Sequence, residues 1–166
     1  MCQERKKTPL RELTTYGHSR AVRHLDCDYS GKIDVHLTIC ADRGEPFRDE
    51  ALACVVCESV EFYSTKLGYQ LYGYCLMPDH LHVLLSATAP DKPIRLWLRE
   101  FKSFTTNRFQ KLFGRRVLWQ RSAHDHVCRD GETAENVLTY IVNNPVRNGL
   151  TERWQDWSWT KVFIDM

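Results

Sequence analysis

Residues 69–87 read YQLYGYCLMPDHLHVLLSA, two apolar runs of strand length separated by Pro78 and Asp79. Short runs rich in Tyr, Leu and Val pair as strands, and Pro-Asp supplies the preset φ and the side-chain bond of a turn. A sheet is therefore required. Strand side chains alternate, so Leu81, Val83 and Leu85 point to one face and His80, His82 and Leu84 to the other. The apolar set belongs against a helical layer, which puts both imidazoles on the opposite face. Two imidazoles at i and i+2 have Cβ atoms roughly 6–7 Å apart and can converge on one metal ion. They can equally be polar residues on a solvated face, and the pattern alone leaves both readings open.

The rest of the chain supplies partners for that hairpin. In YSGKIDVHLTIC, Ile33, Val35, Leu37 and Ile39 share one face of a strand, with Asp34, His36 and Thr38 on the other. Residues 48–67 read as an amphipathic helix closed by Gly68, and residues 94–113 as a second helix ending at Gly114. LWQRSAHDHVCR reads as a fourth strand. ETAENVLTYIVNN reads as a third helix, ended near Asn144 because Pro145 disfavours helical geometry in the residue before it. The tail RWQDWSWTKVF should pack back on the domain. This order predicts an α+β fold: a ferredoxin/RRM-like antiparallel four-stranded sheet, helices on one face, and a C-terminal tyrosine-bearing helix. The free sheet face would then be available to a ligand.

At 166 residues and 43% hydrophobic content, one domain with a real core is expected, residues 29–166, preceded by a polar extension over 1–28. No apolar run is long enough to cross a bilayer, and the charged N-terminus lacks the apolar stretch of a signal peptide. Seven irregularly spaced cysteines point to free thiols in a reducing cytoplasm. Cys54 and Cys57 lie in a helical stretch with no second pair to complete a zinc site, and read as a small-residue helix face.

The net charge of +2 conceals a local bias. From Lys92 to Arg121 there are nine basic residues against one acid, Glu100, with Trp97, Phe101, Phe104, Phe109 and Trp119 interleaved. Such a segment suits a nucleic-acid surface or, more blandly, a solvated helix face. Two enzyme classes that use the HxH pattern are excluded. A cupin needs a glutamate shortly after the second histidine, where this chain has Leu84, Leu85, Ser86 and Ala87. An amidohydrolase barrel does not fit in 166 residues.

In LTYIVNNPVRNGL, Tyr140 and Asn144 are four apart and hence one helical turn from each other. A tyrosine can serve as a covalent nucleophile and an amide oxygen as a hard-metal ligand. Two imidazoles and one amide oxygen would leave open positions and suit Mg²⁺ or Mn²⁺ better than structural zinc. The alternative for Tyr140 is a core aromatic, since Leu138 and Ile141 neighbour it.

YCLMPDHLHVLL resembles the HUH motif, and YIVNNPVRNGL the catalytic-tyrosine segment, of the REP-associated tyrosine transposases, members of the single-tyrosine HUH superfamily. The resemblance runs over about 130 residues, from YSGKIDVHLT through LWQRSAHDHVCRD to DWSW. It does not extend to residues 1–28, and Cys40-Ala41 stands where a basic residue often follows the first strand. It implies His80, His82 and Asn144 as ligands of Mg²⁺ or Mn²⁺ and Tyr140 as the nucleophile. Lys102 matches a basic family position, and with Arg95, Arg99, Arg108 and Arg121 is expected to contact DNA. His36, His124 and His126 are expected beside the site.

The implied function is metal-dependent nicking and strand transfer of single-stranded DNA at REP-like hairpins, through a 5′-phosphotyrosine. Rival readings are a non-catalytic hairpin-binding module for DNA or RNA and a hydrolytic metal nuclease. A cytoplasmic protein, nucleoid-associated when bound to DNA, is expected, as a monomer rather than a homodimer. A phenol ordinarily titrates near ~10, so its proton must be removed by a base the sequence does not name.

Overall fold

The structure is a computed structural model that describes residues 33–87, 93–128 and 133–164. The extension expected over 1–28, together with Cys2, Cys27 and Lys92, lies outside the described residues. The elements are β1 (Ile33–Cys40), α1 (Glu50–Leu67), β2 (Tyr69–Leu76), β3 (His80–Ala87), α2 (Ile94–Phe113), β4 (His124–Val127), α3 (Ala134–Val142), α4 (Asn144–Arg147) and β5 (Thr160–Val162). All neighbouring strands pair antiparallel, in the order β4-β1-β3-β2-β5. The first four strands follow the expected ferredoxin-like arrangement. The fifth is an addition to the expected four.

The helix ends match their sequence signals. Asp49 caps α1 by accepting from the Leu52 amide at 2.9 Å, satisfying one of the orphan donors of the first turn. Gly68 and Gly114 close α1 and α2 in the left-handed conformation, which a side chain would disfavour. No described helix is long and apolar enough to cross a membrane.

Alternation along β1 and β3 divides the interior into two cores. Val35, Leu37, Ile39, Leu81, Val83 and Leu85 pack with Leu52, Val56 and Val60 of α1 and Trp97, Phe101 and Phe109 of α2. On the other sheet face, Tyr72, Cys75 and Leu84 pack with Leu138, Ile141 and Val142 of α3. Full burial of an aliphatic side chain is worth about 1.5–3 kcal/mol as an upper estimate, so those three α3 residues hold the helix firmly to the sheet. α1 and α2 thus cover one face, as expected, and the C-terminal tyrosine-bearing helix α3 takes the other. The α3 pattern specified an apolar stripe but not which face of the sheet would receive it.

β2 carries the irregularity that makes this second core. Its register with β3 slips between Leu71 and Gly73, so a bulge places Tyr72 and Gly73 together on the α3 side. A Cβ at Gly73 would stand 2.7 Å from Leu138 Cδ1 and 2.8 Å from the Lys161 carbonyl oxygen. The glycine is what admits α3 and β5 at their observed distance. The tail closes the same core through Trp154, Trp157, Val162 and Ile164, as expected of it, and Trp157 Nε1 donates to the Leu76 carbonyl at 2.9 Å.

Candidate active site

β3 begins at His80, so the Pro78-Asp79 turn delivers the first imidazole onto the second sheet face. Across the β1–β3 ladder, Cys40 lies opposite His80, Thr38 opposite His82 and His36 opposite Leu84. Residues opposite one another share a face. His36, Thr38, His80 and His82 therefore form one polar patch beside the α3 core.

Hydrogen bonds orient these rings. Asp79 Oδ1 lies 2.6 Å from His80 Nδ1. A carboxylate only accepts, so Nδ1 carries the hydrogen and Nε2 is the nitrogen left to meet a ligand. His80 Nε2 lies 3.1 Å from His82 Nε2. His82 Nδ1 lies 3.0 Å from His36 Nε2 and 3.1 Å from Thr38 Oγ1. When His82 donates from Nδ1, two lone pairs face each other between the Nε2 atoms, and a cation relieves that opposition. Neighbouring ligands at about 2.1 Å from an octahedral ion stand about 3.0 Å apart. The spacing of the two Nε2 atoms thus suits adjacent positions on one divalent ion.

Electrostatics favour the ligand form of the rings. Burial, followed by the charges of His80 and His36, lowers His82 to about 2, with Asp79 opposing. Burial and then the charge of His126 lower His36 to about 4. Both are neutral at pH 7, and for His82 that is the form metal ligation requires. The His80 hydrogen bond holds the Asp79 carboxyl below its ordinary value.

α3 brings the phenol to this patch. Leu138 and Ile141 are fully buried, whereas Tyr140 is 49% exposed, so it is not the core aromatic of the alternative reading. Its ring meets His36 edge-on with centroids 6.4 Å apart, and the Arg147 guanidinium lies 4.7 Å over its centre. The third helix ends earlier than expected, at Val142, and Asn144 opens α4 with Pro145 in its first turn. Asn144 is buried, and its Nδ2 donates to the carbonyls of Tyr140 at 3.1 Å and Ile141 at 3.0 Å. That commitment of the nitrogen leaves Oδ1 as the acceptor end of the amide. Among the described residues no group of three or more His, Cys, Asp or Glu side chains could hold a metal ion. The Asn144 amide would offer a site built on His80 and His82 an oxygen donor of another kind.

The remaining expected residues divide between the two faces. His124 and His126 lie opposite Thr38 and His36 across the β1–β4 ladder, hence on the histidine face. The basic helix does not. α2 buries Trp97 and Phe101 against the other face, so Arg95, Arg99 and Arg108 cannot line the histidine patch. Arg99 pairs with Glu100 at 2.9 Å and Arg108 lies over the Phe104 ring at 5.1 Å. Arg121 is exposed ahead of β4. Lys102 reaches the sheet edge, where its Nζ donates to the carbonyls of Gln120 at 2.9 Å and Ser122 at 3.1 Å. Burial lowers its ammonium to about 8. Of the CxxC pair, Cys57 is buried and Cys54 exposed, so only one thiol lies on the inner helix face.

Sequence reasoning missed Thr38 and Arg147. Thr38 shares its strand face with His36, and Arg147 falls seven residues after Tyr140, a helical spacing carried across the junction from α3 to α4. Both signals were present in the spacing.

The fold is that of a solved REP-associated tyrosine transposase bound to a REP hairpin, with a TM-score of 0.67 at 18% identity over 86% of this chain and 82% of that one. A family profile described as "Transposase IS200 like" matches residues 29–144, and the chain belongs to that family. A Haemophilus influenzae protein assigned as a REP-associated tyrosine transposase is 26% identical over 108 residues, 59% of this chain and 61% of that one. The REP-associated tyrosine transposase of Escherichia coli is 22% identical over 98 residues, 59% of this chain and 57% of that one. The match thus spans about three fifths of the length of these curated relatives.

Proposed function

We propose that the chain nicks and rejoins single-stranded DNA at REP-like hairpins, with Tyr140 as nucleophile and a 5′-phosphotyrosine as intermediate. The observation that carries this reading is the meeting of the His80 and His82 Nε2 atoms, 3.1 Å apart, on the face where His36 adjoins Tyr140. Family membership and the hairpin bound by the structural relative support DNA as the partner.

His80, His82 and the Asn144 amide oxygen are the residues that would hold Mg²⁺ or Mn²⁺. Such an ion, when bound, supplies Lewis-acid polarisation of a non-bridging phosphate oxygen. Asp79 fixes the His80 tautomer; Thr38 and His36 orient His82. Tyr140 Oη attacks the scissile phosphorus in line. The Oη–P bond forms as P–O3′ breaks; the phenolic proton passes to solvent and the departing 3′ oxygen takes one up. The phosphotyrosine retains the ester, so a 3′-hydroxyl can attack it, re-form the phosphodiester and return the phenol.

Incubating the chain and Mn²⁺ with a labelled REP-type hairpin oligonucleotide, followed by a denaturing gel, tests the scheme. The wild type should give a DNA-linked protein band and Tyr140→Phe none. His80→Ala should lose cleavage yet retain DNA within about threefold, because phosphate affinity rests chiefly on lysine and arginine side chains. Cut DNA with no adduct would indicate a hydrolytic nuclease, and retention without cutting a binding module; either result overturns the proposal.

A further inference from the structure

Tyr140 is half exposed, and the group over its ring is Arg147 of α4, whose guanidinium stands 4.7 Å from the ring centre. Among the described residues, Arg43 is paired with Asp42, Arg48 with Glu45, Arg99 with Glu100 and Arg153 with Asp156. Arg147 has no ion pair or hydrogen bond from its guanidinium among the described residues; its contact is with the Tyr140 ring. Its backbone is fixed, because the Arg147 amide donates to the Asn143 carbonyl at 3.0 Å and the preceding turn is tied to α3 through Asn144 Nδ2. An unspent guanidinium is thus carried by the same helical junction that carries the phenol.

A guanidinium resting on an aromatic face keeps its N–H donors in its own plane, directed past the ring. Those donors match the forked oxygens of a phosphate. Resting on the proposed tyrosine chemistry, we propose that Arg147 is a further catalytic residue: it pairs with the non-bridging oxygens of the scissile phosphate as Tyr140 attacks. Aligning the phosphorus with Oη and meeting the charge that gathers on the equatorial oxygens are then one act. The same contact persists on the phosphotyrosine and serves the reverse step, in which the Oη–P bond breaks as the P–O3′ bond re-forms.

The rival role is packing alone, with the arginine merely holding the ring. Single-turnover adduct formation at saturating hairpin oligonucleotide and Mn²⁺ separates the two, using Arg147→Ala, Arg147→Met and Arg147→Lys. Methionine keeps contact with the ring but has neither charge nor donors; lysine keeps the charge. Loss of an oriented donor to a reacting centre typically costs about tenfold or more in rate, so Ala and Met should both be at least that much slower. Lys should recover part of the rate, and oligonucleotide Kd should stay within about threefold for all. Met at the wild-type rate, or Met faster than Lys, assigns the residue to packing and overturns the proposal, as does Ala at the wild-type rate. A wild type that forms no adduct overturns the tyrosine chemistry itself and this role with it; adducts formed equally by all variants overturn this role alone.

Discussion

At the scale of single residues, the site is governed by which nitrogen carries a hydrogen. Asp79 settles that for His80, and Thr38 and His36 engage His82 from the opposite edge of its ring. The result is a buried imidazole, His82, beside a half-buried one, His36, and the protonated form of each is disfavoured by burial first and by neighbouring positive charge second. In the unfolded chain both would titrate near ~6.5. Below that pH the unfolded state takes up protons that the folded state refuses, so stability falls as pH drops from about 6.5 toward about 4. Chemical denaturation of the metal-free protein between pH 7 and pH 5 should show this loss. His36→Gln, which removes one of the two groups, should flatten the slope; an unchanged slope would remove His36 from the account.

At the scale of elements, the tyrosine is placed by how closely α3 approaches the sheet. Gly73 leaves room where a methyl group would meet Leu138 and the Lys161 carbonyl. Gly73→Ala should push α3 and β5 outward and cost about 1–3 kcal/mol, the usual range for overpacking a filled core. Adduct formation should fall with it, because Tyr140 rides on the displaced helix, while oligonucleotide retention is spared. A thermal melt together with the rate measures both; an unshifted melting temperature would contradict the close fit.

Much of this element structure was legible in the sequence, because β1 and β3 alternate strictly and α1 and α2 end at glycines. The parts that were not legible depend on partners. β5 is three residues long and exists because Gly73, Tyr74 and Cys75 of β2 pair with it. β4 is shorter than its sequence run suggested, since Leu118 and Trp119 turn into the main core ahead of it and only an isolated bridge joins Trp119 to Ala41.

At the scale of the whole molecule, the sheet separates two chemistries. The histidines, Tyr140 and Arg147 gather on the face closed partly by α3, and the basic helix α2 covers the other. Composition shows the charge of residues 92–121 but cannot say on which side of a sheet a helix will lie. The placement of the HxH pair was legible because period-two alternation fixes a face; the proximity of Tyr140 to His36 was not, since it depends on the second core. The proposed chemistry comes down to one covalent bond, at Tyr140.

Mass spectrometry of the chain after reaction with a REP-type hairpin oligonucleotide and Mn²⁺, followed by nuclease and trypsin, reads that bond directly. The tryptic peptide DGETAENVLTYIVNNPVR, residues 130–147, should carry a nucleotide 5′-phosphate on Tyr140. Cleaved DNA with this peptide unmodified, or a nucleotide linked to any other residue, would contradict the account.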